Sequence, residues 1–267
     1  MDPQLNLPRT VTGELDVPAF IGIHERRIQI GRWEMSHLFF PCEKEQARLL
    51  VFFGGHGGYG YIRSFYEREA GNSHLLYLSD NLGSNRMGLW WLADHGDFGL
   101  GDAYAELIQM CVQECGVAAP DVCFMGNCVG GFGALYLSYK LGAGSALAIA
   151  PFIAVGSVYK GTPLLEQIVG TSGVDLDEYI FNHFGRPSEV RACIITSNQD
   201  AMMRRGQISR FASILFQQKN VFVWKNLRVN SPAKVPFHAA VCGVLSPEEI
   251  LAELYQPMER AYDRNKS

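Results

Sequence analysis

Apolar positions fall in short unbroken runs along the chain, separated by longer stretches with a helical period. Continuous apolar runs at 48–53, 74–78, 122–125, 146–151, 191–196 and 220–224 predict strands buried on both faces. Between them, 61–70, 102–116, 132–141 and 204–218 have the spacing of amphipathic helices, and 247–262 closes the chain as a helix. In the second of these helices Leu107, Ile108, Cys111 and Val112 share one face. Residues 1–15 read as a loose arm. Residues 17–40 suggest short strands: 27–30 alternates, 35–40 is apolar, and a turn with Pro41 and three charges follows. Between 152 and 188 the pattern loosens into Gly156, Gly161-Thr162-Pro163, a helical 164–169, Gly170-Thr171-Ser172-Gly173 and a helical 175–183. Alternating strands and helices predict an α/β fold, with a mostly parallel central sheet and helices on both faces. The whole chain, 1–267, is expected to form one domain, with 152–188 as a small cap insertion.

One stretch organises this pattern: Asp121-Val-Cys-Phe-Met-Gly-Asn-Cys-Val-Gly-Gly-Phe-Gly133. Strand, sharp turn and helix are the setting in which G-x-S-x-G forms a nucleophile elbow, and Cys128 stands where the serine would. A nucleophile held in a strained turn needs glycine two before and two after it. A side chain on Gly126 or Gly130 would strike the flanking strand and helix. Gly131 and Gly133 extend the small face where helix and strand pack.

Two loops bear on the same site. Gly54-Gly55-His56-Gly57-Gly58-Tyr59-Gly60 brings backbone amides close to a ligand. A phosphate loop fits it poorly, because the Walker lysine and the G-x-G-x-x-G spacing are missing. His56 either lines the site or plays a structural part, and Tyr59 is a candidate for the substrate side. In the stretch from Leu82 to Gly101, Trp90 and Trp91 either wall a pocket or pack the core beneath a long loop.

Composition narrows the function classes. A net charge of −4 gives no basic field, so nucleic acid is not an expected partner. Apolar residues at 48% can fill a sizeable core. No run of about 18 apolar residues predicts a membrane span, and the polar N-terminus lacks a signal-peptide core, so a cytoplasmic location is expected. Seven scattered cysteines suggest reduced thiols. No cluster has metal-ligand spacing, and neither metal nor cofactor is expected.

Cys128, Asp200 and His238 follow the ends of successive predicted strands in the order nucleophile, acid, base. Each has an alternative: Cys128 a buried thiol, Asp200 a helix cap, His238 a loop histidine. His95 and His183 are worse placed for the base. From about residue 48 to 262 the chain resembles the α/β-hydrolase superfamily, with G-N-C-V-G-G-F-G as the specific part. The cysteine variant is similar to dienelactone hydrolases and polyester synthases. A weaker resemblance joins Ser79-Asp80-Asn81, Gly-Leu-Trp-Trp-Leu, Gly-Asp-Phe-Gly and GGFGAL to capsule-associated and accessory-secretion α/β-hydrolases. Some of these are sugar O-acetyltransferases, and they carry serine at the elbow.

These readings together imply a Cys128–His238–Asp200 triad that forms an acyl-thioester. The oxyanion would be held by the amides of Val129 and of a residue in the glycine loop, taken as Gly57. Hydrolysis and acyl transfer both remain open. The expected partner is a small-molecule or glycan/acyl substrate, with a homodimer as one assembly state. The alternative is a catalytically silent relative that binds or assembles.

Overall fold

The computed structural model describes residues 10–12, 16–55, 72–142, 144–186, 188–196 and 222–226. The predicted helices at 61–70, 204–218 and 247–262 lie outside them.

Among the described residues one eight-stranded sheet carries the fold, in the order β1-β2-β4-β3-β5-β6-β7-β8. The strands are β1 (Arg26–Ile30), β2 (Trp33–Phe40), β3 (Leu49–Phe53), β4 (His74–Leu78), β5 (Val122–Asn127), β6 (Ser145–Ile149), β7 (Arg191–Thr196) and β8 (Phe222–Asn226). β2 is antiparallel to both β1 and β4, and the remaining pairs are parallel. Every residue of β3, β4 and β6 is buried. That is why these strands read as continuous apolar runs instead of alternating ones. β8 overlaps the apolar run expected at 220–224.

The helices among the described residues are α1 (Val17–His24), α2 (Gly99–Cys115), α3 (Val129–Leu141), α4 (Val155–Val158), α5 (Pro163–Val169) and α6 (Leu176–Phe184). α1 corrects the expectation of a strand at 17–24. Asp16 caps it by accepting from the Ala19 amide at 3.1 Å, and Pro18 sits in its first turn. Both are helix-start signals. Phe20 then anchors α1 on the sheet, stacked on Phe40 at 5.7 Å. α2 starts three residues earlier than expected and ends at Gly116, whose φ of 65° closes it.

Helices α4, α5 and α6 all lie in the crossover from β6 to β7. Asp177 of α6 ties this segment together by accepting from the amides of Gly156 (2.8 Å) and Ser157 (2.9 Å) on α4. Among the described residues no helix is long and apolar enough to cross a membrane.

Candidate active site

β3, β4, β5, β6, β7 and β8 run parallel, so the segments that follow them leave from one edge of the sheet. In open α/β sheets that carboxyl edge is where ligands bind. Cys128 lies at this edge, between the end of β5 and the start of α3, with φ 53° and ψ −119°. This positive-φ backbone is unfavourable for a residue with a Cβ. Its surroundings hold it there: the Cys128 amide donates to the Ile149 carbonyl at 2.8 Å, and its carbonyl accepts from Phe132 (3.1 Å) and Phe152 (3.3 Å).

The two elbow glycines do what their spacing predicts. A Cβ on Gly126 would lie 2.2 Å from the Gly130 oxygen, and one on Gly130 would lie 2.3 Å from the Phe53 oxygen. The second contact brings the end of β3 against the first turn of α3. Val129 is the first residue of α3, at a helix start where backbone amides have no partner within the helix. Gly55, at the start of the glycine loop, faces Asn127: its Cβ would lie 3.9 Å from Asn127 Oδ1. Of the other predicted site residues, His56, Gly57, Tyr59, Asp200 and His238 lie outside the described residues. β7 and β8, which precede the last two, both end at the Cys128 edge.

Trp90 and Trp91 are fully buried, so they take the core-packing alternative and not the pocket wall. Trp91 packs edge-on against Phe53 (5.1 Å) and Tyr104 (4.8 Å), and a Cβ on Gly133 would strike its Nε1 at 2.6 Å. Trp90 packs edge-on against Tyr159 at 4.8 Å. Both tryptophans have positive φ, 56° and 58°. The buried Asp80 carboxylate at the end of β4 supports this turn, its Oδ2 accepting from the amides of Leu89 (2.7 Å) and Trp91 (3.0 Å). Burial pushes Asp80 up to about 6, and the surrounding backbone amides only partly offset that. Gly88 is required there, since a Cβ would meet the Asp80 backbone oxygen at 2.8 Å.

The two histidines set aside as bases have other surroundings. His183 is buried and donates from Nε2 to the Tyr136 carbonyl at 2.9 Å, and burial pushes it down to about 4. His95 is exposed, with Nε2 3.8 Å from Asp94. A cavity of about 450 Å³ opens between this loop and α5, with Met87, His95, Leu164 and Glu166 among its lining residues. No elbow residue lines it. Among the described residues no three His, Cys, Asp or Glu side chains group to hold a metal ion.

The pattern reading missed Tyr159, at the end of α4. Its ring lies against Trp90 and 6.3 Å from Phe152. Burial, and then the neighbouring Cys128 thiol, push its hydroxyl above the ordinary tyrosine range. The only local signal was an aromatic residue just before the Thr162-Pro163 helix start, which says nothing about the elbow.

A mostly parallel sheet, a tight strand–turn–helix elbow at its carboxyl edge and an antiparallel start define an α/β-hydrolase fold. Solved structures of that fold are similar to this chain over most of its length. The capsule O-acetyltransferase of Neisseria meningitidis serogroup A aligns with TM-score 0.60 at 14% identity, covering 86% of this chain and 94% of that one. A fluorophosphonate-binding serine hydrolase of Staphylococcus aureus aligns with TM-score 0.60 at 11% identity, covering 82% and 95%. The Glycosylation Associate Protein complex from Streptococcus agalactiae aligns with TM-score 0.68 at 13% identity. The match covers 86% of this chain, which spans only about half (46%) of that one. No family model matches the sequence, and no curated protein matches it.

Proposed function

We propose that the chain is an acyl-enzyme catalyst that uses Cys128 as nucleophile, His238 as base and Asp200 to orient the imidazole. The observation that carries this reading is the backbone of Cys128: a non-glycine residue at φ 53° between strand and helix, with close backbone approach at both elbow glycines. Strain of this kind persists where the surroundings impose it, and such sites are enriched in function.

In the reaction, His238 takes the thiol proton and the thiolate attacks the carbonyl of an ester or thioester. The C–S bond forms as the bond to the leaving alcohol or thiol breaks, and the imidazolium returns its proton to that leaving group. Water or an acceptor hydroxyl then attacks the acyl-thioester. Its proton passes through His238 to the Cys128 sulfur, which regenerates the thiol. The amides of Val129 and Gly57 hold the oxyanion, a contribution of about 3–4 kcal/mol per donor. His56 and Tyr59 face the substrate, a small-molecule or glycan/acyl compound. We read 152–188 as the cap of a single domain working in the cytoplasm, alone or as a homodimer.

A second reading has one observation behind it: the Streptococcus agalactiae neighbour is described as glycosylation-associated, without a named reaction. On that reading the pocket binds or assembles and Cys128 is an inert thiol.

Intact-protein mass spectrometry separates the two. Wild type and Cys128→Ala are incubated with a panel of acyl esters and acyl-thioesters. The proposal requires a mass increment of one acyl group on wild type only. Its loss in plain buffer would mean hydrolysis, and its loss only with an added alcohol or sugar would mean transfer. No increment with any donor, together with no labelling of Cys128 by iodoacetamide, gives the second reading.

A further inference from the structure

We propose that Tyr159 walls the acyl side of the Cys128 thiol and limits the length of acyl group the elbow accepts, so that short chains are preferred. The inference rests on the acyl-enzyme reading and names its donor class: esters or thioesters of short-chain acids.

Three packing facts place the ring. The Phe152 amide donates to the Cys128 carbonyl at 3.3 Å, so the chain leaving β6 passes directly beside the nucleophile's backbone. From there the backbone turns through α4 and brings Tyr159 back over Phe152, at 6.3 Å between ring centroids. On its other side the ring meets Trp90 edge-on at 4.8 Å. Phe152 and Trp90 are buried and cannot recede, whereas Tyr159 is only half-buried. The ring thus stands on the β6 side of the elbow, the side that the inference assigns to the acyl chain.

The wall is also rigid. The Asp177 carboxylate holds α4 through the Gly156 and Ser157 amides. The Tyr159 carbonyl accepts from both the amide (3.0 Å) and the hydroxyl (2.7 Å) of Thr162. A side chain pinned at both ends of its turn discriminates by size, since no backbone movement relieves the clash with a longer substrate. Each methylene that a pocket admits or refuses changes kcat/KM by about 10- to 200-fold.

The test compares p-nitrophenyl acetate, butyrate, hexanoate and octanoate on wild type, Tyr159→Ala, Tyr159→Leu and Tyr159→Phe. Thermal unfolding confirms that each is folded, and intact mass confirms where the acyl group sits. The expected readout is the ratio of kcat/KM for hexanoate to that for acetate. It rises at least about tenfold in Tyr159→Ala and moves the same way in Tyr159→Leu, which shortens the wall while keeping apolar contact with Trp90. Tyr159→Phe holds the wild-type ratio, because the ring and not the hydroxyl forms the wall. An unchanged ratio in folded Ala and Leu variants that still carry the acyl group on Cys128 overturns the inference and leaves the acyl-enzyme reading intact. No adduct on wild type with any of the four esters or their thioester counterparts overturns both.

Discussion

Asp80 offers a direct test of how the loop beside the site is held. Its carboxylate is buried at the end of β4 and accepts from two amides of the tryptophan turn. Oδ1 makes no hydrogen bond. Burial moves the group from 3.8 up to about 6. At about 1.4 kcal/mol per pH unit, ionised Asp80 costs the folded state about 3 kcal/mol at neutral pH. The sign follows from proton counting. Between pH 4 and 6 the folded chain holds a proton that the unfolded chain has lost, so this contribution to stability is complete below pH 4 and is lost as the pH rises through 6.

Asp80→Asn removes the titration while keeping an acceptor for Leu89 and Trp91. Its new NH2 lies where Oδ1 had no partner, a pH-independent penalty of about 1–3 kcal/mol. The assay is urea unfolding followed by tryptophan fluorescence at half-unit steps from pH 4 to 7. Other titrating groups are common to both proteins, so the variant-minus-wild-type difference isolates residue 80. That difference should climb by about 2–3 kcal/mol across the range. A flat difference, or one that falls with pH, would refute the claim that this carboxylate sits in a low-dielectric site.

The remaining predictions concern the elbow and the buried histidines. Gly126→Ala and Gly130→Ala should each lower stability by at least about 2–3 kcal/mol in chemical denaturation, because the new Cβ meets fixed backbone at 2.2 and 2.3 Å; a loss under 1 kcal/mol, well below the typical overpacking cost, would contradict the close packing. Cys128→Gly should stabilise the fold by about 1 kcal/mol net, the relief of a positive φ exceeding the added chain entropy, while abolishing any acyl adduct. His37 and His183 are both pushed down to about 4 by burial. The unfolded chain therefore binds their protons first, and their contribution to stability, complete above pH 6.5, is lost as the pH falls toward 4. Imidazole NMR should show both neutral at pH 5.5, and a midpoint above 6 for either would be wrong for this packing.

The elbow and the sheet were legible because they rest on local rules. A fully buried strand must be apolar at every position, so β3, β4 and β6 declared themselves as runs. Gly126 and Gly130 sit where any Cβ would meet backbone, so their spacing around Cys128 carried geometry in the sequence itself. α1 was misread because Val17, Phe20, Ile21 and Ile23 look strand-like, whereas Asp16 and Pro18 decide the backbone. Trp90 and Trp91 stayed ambiguous for a different reason. Whether a large side chain faces solvent or core depends on what arrives from far along the chain: Tyr104 from α2, Phe53 from β3 and Tyr159 from α4. Tyr159 itself became visible only in three dimensions, because it lies 31 positions after Cys128 along the chain.

Strain links these particulars to one site. Trp90, Trp91, Cys128 and Ala150 are four of the seven described non-glycine residues with positive φ, and each follows a strand that ends at the same sheet edge. Each also has an identifiable restraint: Asp80 holds the tryptophan turn, Ile149 and Phe152 hold Cys128, and the Ala150 amide donates to the Ile195 carbonyl at 2.7 Å. Unfavourable backbone costs about 1–3 kcal/mol per residue, so four such positions in adjoining loops are not neutral decoration. Replacement by glycine would relieve the backbone at all four, yet the sequence keeps two indoles, a thiol and a methyl group. At Trp91 the side chain fills the core. Cys128 is half-buried against the core, and its thiol is the group that the proposed acyl chemistry would use.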